Sequence, residues 1–199
     1  MRNTRKIILA SASPRREEIF GKTGLKFEVD ESACDEKANP GLKPHELAKF
    51  LSRAKAKDVA RRHTNALVIA ADTIVISGRK IFGKPGGEEQ AREMLKTLSG
   101  RAHAVITGFT IIDTAGKKEV SRSVETKVYV KRLSADEIDA YISSGEPFGK
   151  AGAYGIQGLG AVMVKKIEGD FFNVMGLPLN ALAESLKKFG VHVLYQDEV

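Results

Sequence analysis

Asp72 closes an uninterrupted apolar run, Leu67-Val68-Ile69-Ala70-Ala71, and this is where the chain first shows residues arranged for chemistry. Such a run reads as a strand buried on both faces, where a carboxylate is costly unless it is paired or holds a metal. Thr73 and the apolar Ile74-Val75-Ile76 follow, then a turn at Ser77-Gly78-Arg79 and a return strand, Lys80-Ile81-Phe82. This hairpin ends in Gly83-Lys84-Pro85, which brings a lysine back toward the strand carrying Asp72. Gly83 permits close backbone approach and Pro85 ends the strand. A carboxylate and a lysine so placed suit a metal-bound phosphate; they equally suit a pair that only closes a strand end.

A second group gathers near the N-terminus. Residues 6–10 read as a strand, and Ser11-Ala12-Ser13-Pro14-Arg15-Arg16 as a tight turn into a helix that runs through Ile19 and Phe20 to near Gly24. Ser13 is a good N-cap and Pro14 a good first helical residue. Ser11, Ser13, Arg15 and Arg16 therefore meet at a helix N-terminus, where free amides and the helix dipole favour an anion. The dipole disfavours two arginines there unless a phosphate joins them; a capped surface helix with solvated arginines is the alternative.

Three further stretches bear on a site. From Pro44 to about Arg62 an apolar stripe (Leu47, Phe50, Leu51, Ala54, Ala56) predicts a helix, in which Lys55 sits among alanines. The polar loop 30–43 holds Glu31, Asp35 and Glu36, and a carboxylate from it could share a metal with Asp72, since hard divalent ions prefer oxygen ligands. Residues 148–160, FGKAGAYGIQGLG, carry five glycines around Tyr154, Ile156 and Gln157 and read as a binding loop rather than a linker.

The remaining elements form the frame. Residues 27–29 predict a short strand. An amphipathic helix over 88–99 closes at Gly100, and two alternating strands over 102–113 and 119–130 meet at Thr114-Ala115-Gly116-Lys117. That hairpin is antiparallel, so the sheet is mixed. Ser134 with Glu137 predicts a capping-box helix to residue 144; strands follow over 162–167 and 170–174, and a last helix starts at Leu177-Pro178-Leu179.

A chain of 199 residues makes one domain or two small lobes; 42% hydrophobic and 29% charged residues are those of a soluble globular protein. No window approaches the roughly 18 uncharged apolar residues of a membrane helix. The basic start, MRNTRKIILASASPRREE, has too short an apolar run for a signal peptide. One cysteine, Cys34, makes no internal disulfide, and the cytoplasm is the default compartment. A net charge of +7 attracts anions, either nucleic acid or a small phosphorylated substrate. Scattered cations and the lack of tryptophan favour the small substrate and disfavour nucleic acid.

Taken in order, Ser11-Ala12-Ser13-Pro14-Arg15-Arg16, Ala70-Ala71-Asp72-Thr73, Gly83-Lys84-Pro85, Leu98-Ser99-Gly100-Arg101-Ala102-His103, Ala151-Gly152-Ala153-Tyr154-Gly155-Ile156-Gln157-Gly158 and Gly176-Leu177-Pro178 resemble the Maf family over almost the whole chain. The resemblance implies a nucleoside triphosphate pyrophosphatase with an α/β, inosine-triphosphatase-like fold. Residues 1–199 would then form a single Maf-like domain whose long twisted mixed sheet is flanked by helices, with two lobes around a cleft. Thr73 and Gln157 look like the branch acting on dTTP and UTP; 7-methyl-GTP specificity would bring glutamine after the aspartate and glutamate in the later loop. By the same resemblance Asp72 is the proton acceptor or only a metal ligand, and Glu36 and Asp72 hold magnesium or manganese. Ser11, Ser13, Arg15, Arg16, Lys55 and Lys84 bind phosphates, and Arg15, Thr73 and Gln157 set specificity. The Gln157 amide offers an acceptor beside a donor, which matches uracil or thymine and, flipped, cytosine. The resemblance also implies a homodimer. It leaves open a regulatory role in septum formation, through nucleic acid or a division protein, with catalysis incidental.

Overall fold

In this computed structural model the described residues are 5–34 and 41–195. Among them the strands are β1 (Lys6–Leu9), β2 (Glu28–Val29), β3 (Ala66–Ser77), β4 (Lys80–Phe82), β5 (Ala102–Asp113), β6 (Glu119–Val130) and β7 (Val164–Glu168). The helices are α1 (Pro14–Gly21), α2 (Pro44–Ala60), α3 (Glu88–Leu98), α4 (Ala135–Ser143), α5 (Phe171–Met175) and α6 (Leu179–Leu186). The seven strands join in one mixed sheet of order β2-β1-β3-β5-β6-β7, with β4 paired to β3. β1 runs parallel to β2 and β3, whereas β4 is antiparallel to β3 and β7 to β6.

The chain divides into two compact units. The first takes Met1–Asp72, Thr107–Val124 and Gly176–Val199. Its centre is the start of β3, where Ala66, Leu67, Val68, Ile69, Ala70 and Ala71 are all fully buried, as a strand covered on both faces requires. Ile8, Ala10, Ala56, Val59, Val68 and Ala70 pack one side of it. Helix α2 lies directly on β5 at Gly108: a Cβ there would stand 2.2 Å from the Ala48 carbonyl oxygen. One turn further, Ser52 Oγ meets Thr110 Oγ1 at 2.9 Å. Arg5 closes the unit by pairing with Asp113 and donating to the Phe189 carbonyl.

The second unit takes Thr73–Ile106 and Glu125–Met175. Its core joins Val75 and Phe82 of the hairpin, Ala91, Met94, Leu95 and Leu98 of α3, Ile138, Tyr141 and Ile142 of α4, and Tyr154 and Met163. The predicted capping box is present, with Ser134 Oγ accepting from Glu137 N at 3.2 Å and Glu137 Oε2 from Ser134 N at 2.8 Å.

Three expectations need correction. Residues 170–174 are not a strand: Asp170 precedes helix α5, which takes in Phe171–Met175. Asp170 Oδ1 caps that helix by accepting from Asn173 N, and buried Asn173 donates to the Val105 carbonyl and to Thr126 Oγ1, both at 3.0 Å. The Asp170 cap and the bonds of Asn173 to residues distant in sequence override the strand preference of Phe171, Phe172 and Val174. The strand expected over 162–167 starts at Val164, after a 3-10 segment Gly158–Met163. Ser13 is the N-cap of α1, but its hydroxyl makes no cap hydrogen bond.

Candidate active site

In the first unit the parallel register Leu9↔Ile69 carries the end of β1 and the middle of β3 forward together. Ala10 N still donates to the Ile69 carbonyl at 2.7 Å, so the turn beginning at Ser11 leaves the sheet level with Ala71 and Asp72. Loops that leave the carboxyl ends of parallel strands are where α/β proteins bind ligands. Ser11 is buried and its Oγ accepts from Ser13 N at 3.2 Å, which fixes the turn and directs it into α1. Arg15 and Arg16 are half-buried in the first turn of that helix. Arg16 Nε donates to the Gly176 carbonyl at 2.8 Å, tying the turn to the Gly176-Leu177-Pro178 entry of α6.

Asp72 is buried, and Lys55 Nζ meets its Oδ1 at 2.5 Å, with 12% and 10% of the two side chains exposed. The lysine reaches it because Ala48, Ser52, Lys55 and Val59 follow one face of α2, whose contact at Gly108 sets the helix against the sheet. The pair offsets the desolvation that either charge alone would suffer. The sequence-predicted phosphate residues Ser11, Ser13, Arg15, Arg16 and Lys55 thus belong to one unit with Asp72.

In the second unit, Thr73 is half-buried on β3 and Lys84 is exposed just beyond β4. Thr73 precedes and Lys84 follows the same end of the hairpin pairing, each two residues beyond Val75↔Phe82. The glycine-rich loop docks on this hairpin: Gly152 N donates to the Gly83 carbonyl at 3.0 Å, and at φ 73 its missing side chain leaves room for Val75. Ala153 holds φ 59, a conformation a non-glycine residue adopts only under constraint, and it is fully buried.

Gln157 is half-buried and is flanked on both sides by bonds that the sequence does not announce. Glu146 accepts from Leu159 N at 2.8 Å through Oε2, and from Gly160 N at 3.0 Å and Tyr141 Oη at 2.9 Å through Oε1. Tyr141 Oη in turn accepts from Gly155 N at 3.1 Å. Burial pushes the Glu146 carboxyl up, but the Gly160 and Leu159 amides, the Tyr141 hydroxyl and Lys150 outweigh it and hold the carboxyl below its ordinary range. No local pattern marks Glu146, since the two amides it accepts from lie 13 and 14 residues on. Gly108 left a weak signal, an isolated glycine inside a strand pattern. His103 is buried below Tyr154, with Nε2 and Oη 2.7 Å apart, and burial lowers its pKa to about 4.

A divalent metal fits the donor chemistry around Asp72. No group of three His, Cys, Asp or Glu side chains comes together among the described residues, yet magnesium needs only one or two carboxylates besides phosphate oxygens and water. Glu36, the other expected ligand, lies outside the described residues. Among the described residues no helix is long and apolar enough to cross a membrane.

Comparison with known proteins agrees with the motifs. A protein named dTTP/UTP pyrophosphatase from Methanosarcina barkeri is 48% identical over 190 residues, covering 95% of this chain and 96% of that protein. Proteins of the same name from Clostridioides difficile and Carboxydothermus hydrogenoformans are 46% and 50% identical, covering 95% and 93% of this chain and 98% and 99% of theirs. Among solved structures, the Staphylococcus aureus Ham1 protein aligns at 14% identity with a TM-score of 0.45, over 63% of this chain and 72% of that one. The family model described as Maf-like protein matches residues 6–189, from the first residue of β1 to beyond α6, and so takes in both units: the chain belongs to the Maf family.

Proposed function

We propose that the protein is a nucleoside triphosphate pyrophosphatase that hydrolyses dTTP and UTP to the monophosphate and pyrophosphate. Relatives close to half identical along nearly their whole length bear that name. The observation that carries the reading is the Lys55–Asp72 pair, level with the Ser11–Ser13 turn that leads into Arg15 and Arg16.

Water attacks at the bond between the α and β phosphates, and charge positioned around the phosphates supplies most of the rate. Arg15 and Arg16 hold the phosphates by guanidinium forks, Lys55 and Lys84 as point charges, and Ser11 and Ser13 as neutral donors. Asp72 takes the proton from the water, and Lys55, at 2.5 Å, holds that carboxylate in orientation until it does. Asp72 and Glu36 would hold magnesium or manganese, whose charge would offset that developing on the phosphate oxygens. Thr73 and Gln157 read the pyrimidine edge, with Arg15 assisting selection; Glu146 and Tyr141 hold the loop that presents Gln157. Methyl-tolerant reading of that edge takes UTP and dTTP alike. The resemblance extends the reading to a homodimer, and the cytoplasm is the compartment we expect for it.

A panel of UTP, dTTP, CTP, GTP and 7-methyl-GTP tests the substrate class. The reading expects kcat/KM for UTP and dTTP to exceed those for the two purines by at least tenfold. A preference for 7-methyl-GTP would overturn it.

A further inference from the structure

Within the second unit, the turn between β3 and β4, the last turn of α3 and the residue before β5 line a cavity of about 530 Å³, within the range of ligand pockets. Arg79, Lys80, Lys96 and Arg101 line it and no acidic residue does. Lys96 pairs with Glu93 at 3.1 Å, but among the described residues no carboxylate neutralises Arg79, Lys80 or Arg101. Elsewhere Arg53, Arg62 and Arg92 each have one. The turn itself is fixed: Gly78 at φ 60 precedes Arg79 in the pattern of a II′ hairpin turn, closed by the Ser77↔Lys80 pair. Thr73 lies four residues earlier on β3, about 13 Å away along the strand, so this cavity sits at the other end of the hairpin from Thr73 and Lys84.

We propose that this cavity is a second anion site, separate from the hydrolytic one, that takes a small polyphosphate. Like charges converging without a counter-ion repel one another, and a chain of phosphates satisfies several at once. No aromatic ring lines the cavity to stack on a base, so the ligand is recognised through its phosphates alone. Inorganic pyrophosphate or tripolyphosphate and the triphosphate tail of a nucleotide share that chemistry. The proposal gives a role to Arg101, which the hydrolytic reading leaves unused.

Calorimetric titration with inorganic tripolyphosphate at low salt tests this, comparing the parent with Arg79→Glu/Arg101→Glu and with Lys57→Glu/Lys188→Glu, a control of equal charge change. The parent and the control are expected to bind two ions per chain. The Arg79→Glu/Arg101→Glu protein should bind one, at least tenfold weaker binding having removed the other, while its kcat with UTP stays within twofold. A single ion per chain that this variant abolishes supports the cavity and counts against phosphate binding by Arg15 and Arg16. Unchanged stoichiometry in the variant, an equal loss in the control, or binding of single-stranded DNA in place of tripolyphosphate would overturn the proposal. A parallel titration with ATP identifies the source: equal affinity assigns the triphosphate tail, and tenfold weaker binding assigns the free ion.

Discussion

At the scale of single residues the account turns on Lys55 and Asp72, an ammonium and a carboxylate that are each about nine-tenths buried. Removing one partner of a buried pair leaves the other charge uncompensated. Lys55→Met is therefore expected to lower unfolding free energy by about 3 kcal/mol, read from urea denaturation midpoints, besides weakening phosphate binding. A change below roughly 0.5 kcal/mol would place Lys55 among ordinary surface pairs. Gln157→Glu removes an amide donor and sets a negative charge against a base carbonyl, which costs about 1 to 3 kcal/mol. UTP and dTTP kcat/KM should fall roughly ten- to a hundredfold, with the UTP-to-GTP ratio falling too. An unaltered ratio would mean that the loop does not face the base. Asp72 and Lys55 were legible in the sequence because each stands in company that does not suit a solvated charge. Glu146 was not, because its role is made by backbone amides that only folding brings to it.

At the scale of elements, two close approaches set the geometry. Helix α2 can place Lys55 only because Gly108 lets the helix backbone touch β5. Gly108→Ala puts a methyl group 2.2 Å from the Ala48 carbonyl oxygen, and neither backbone can yield locally. The expected result is a loss of about 1 to 3 kcal/mol in stability together with a fall in kcat, since α2 must move and takes Lys55 with it. Retained stability and kcat would show that Lys55 does not depend on this contact. The loop around Gln157 follows the same rule, a Cβ at Gly160 meeting the Gly155 carbonyl oxygen at 2.1 Å. Hydrophobic periodicity located α2, α3 and α4 and the two long strands, since their buried faces are written locally. It failed at α5, where an Asp170 cap and the buried bonds of Asn173 decide between helix and strand.

At the scale of the whole molecule, stability should depend on pH through His103. The folded protein holds this histidine at a pKa of about 4, and burial is the cause. The unfolded chain titrates near 6.5, so between those values it binds the extra proton and stability falls as pH falls. The loss amounts to about 2 kcal/mol from pH 8 to pH 5. His103→Gln should flatten that slope; an unchanged slope would assign it to other groups. The mixed sheet was readable because the hairpin signal between β5 and β6 is strong. Where its two units divide was not, because β3, β5 and β6 each continue without a break from one unit into the other. The most direct test of the central claim is product analysis with UTP and magnesium or manganese, comparing the parent with Asp72→Asn. The account predicts UMP and pyrophosphate from the parent and a rate about a hundred- to ten-thousandfold lower from the variant; UDP with orthophosphate, or a variant within about threefold of the parent, would contradict it.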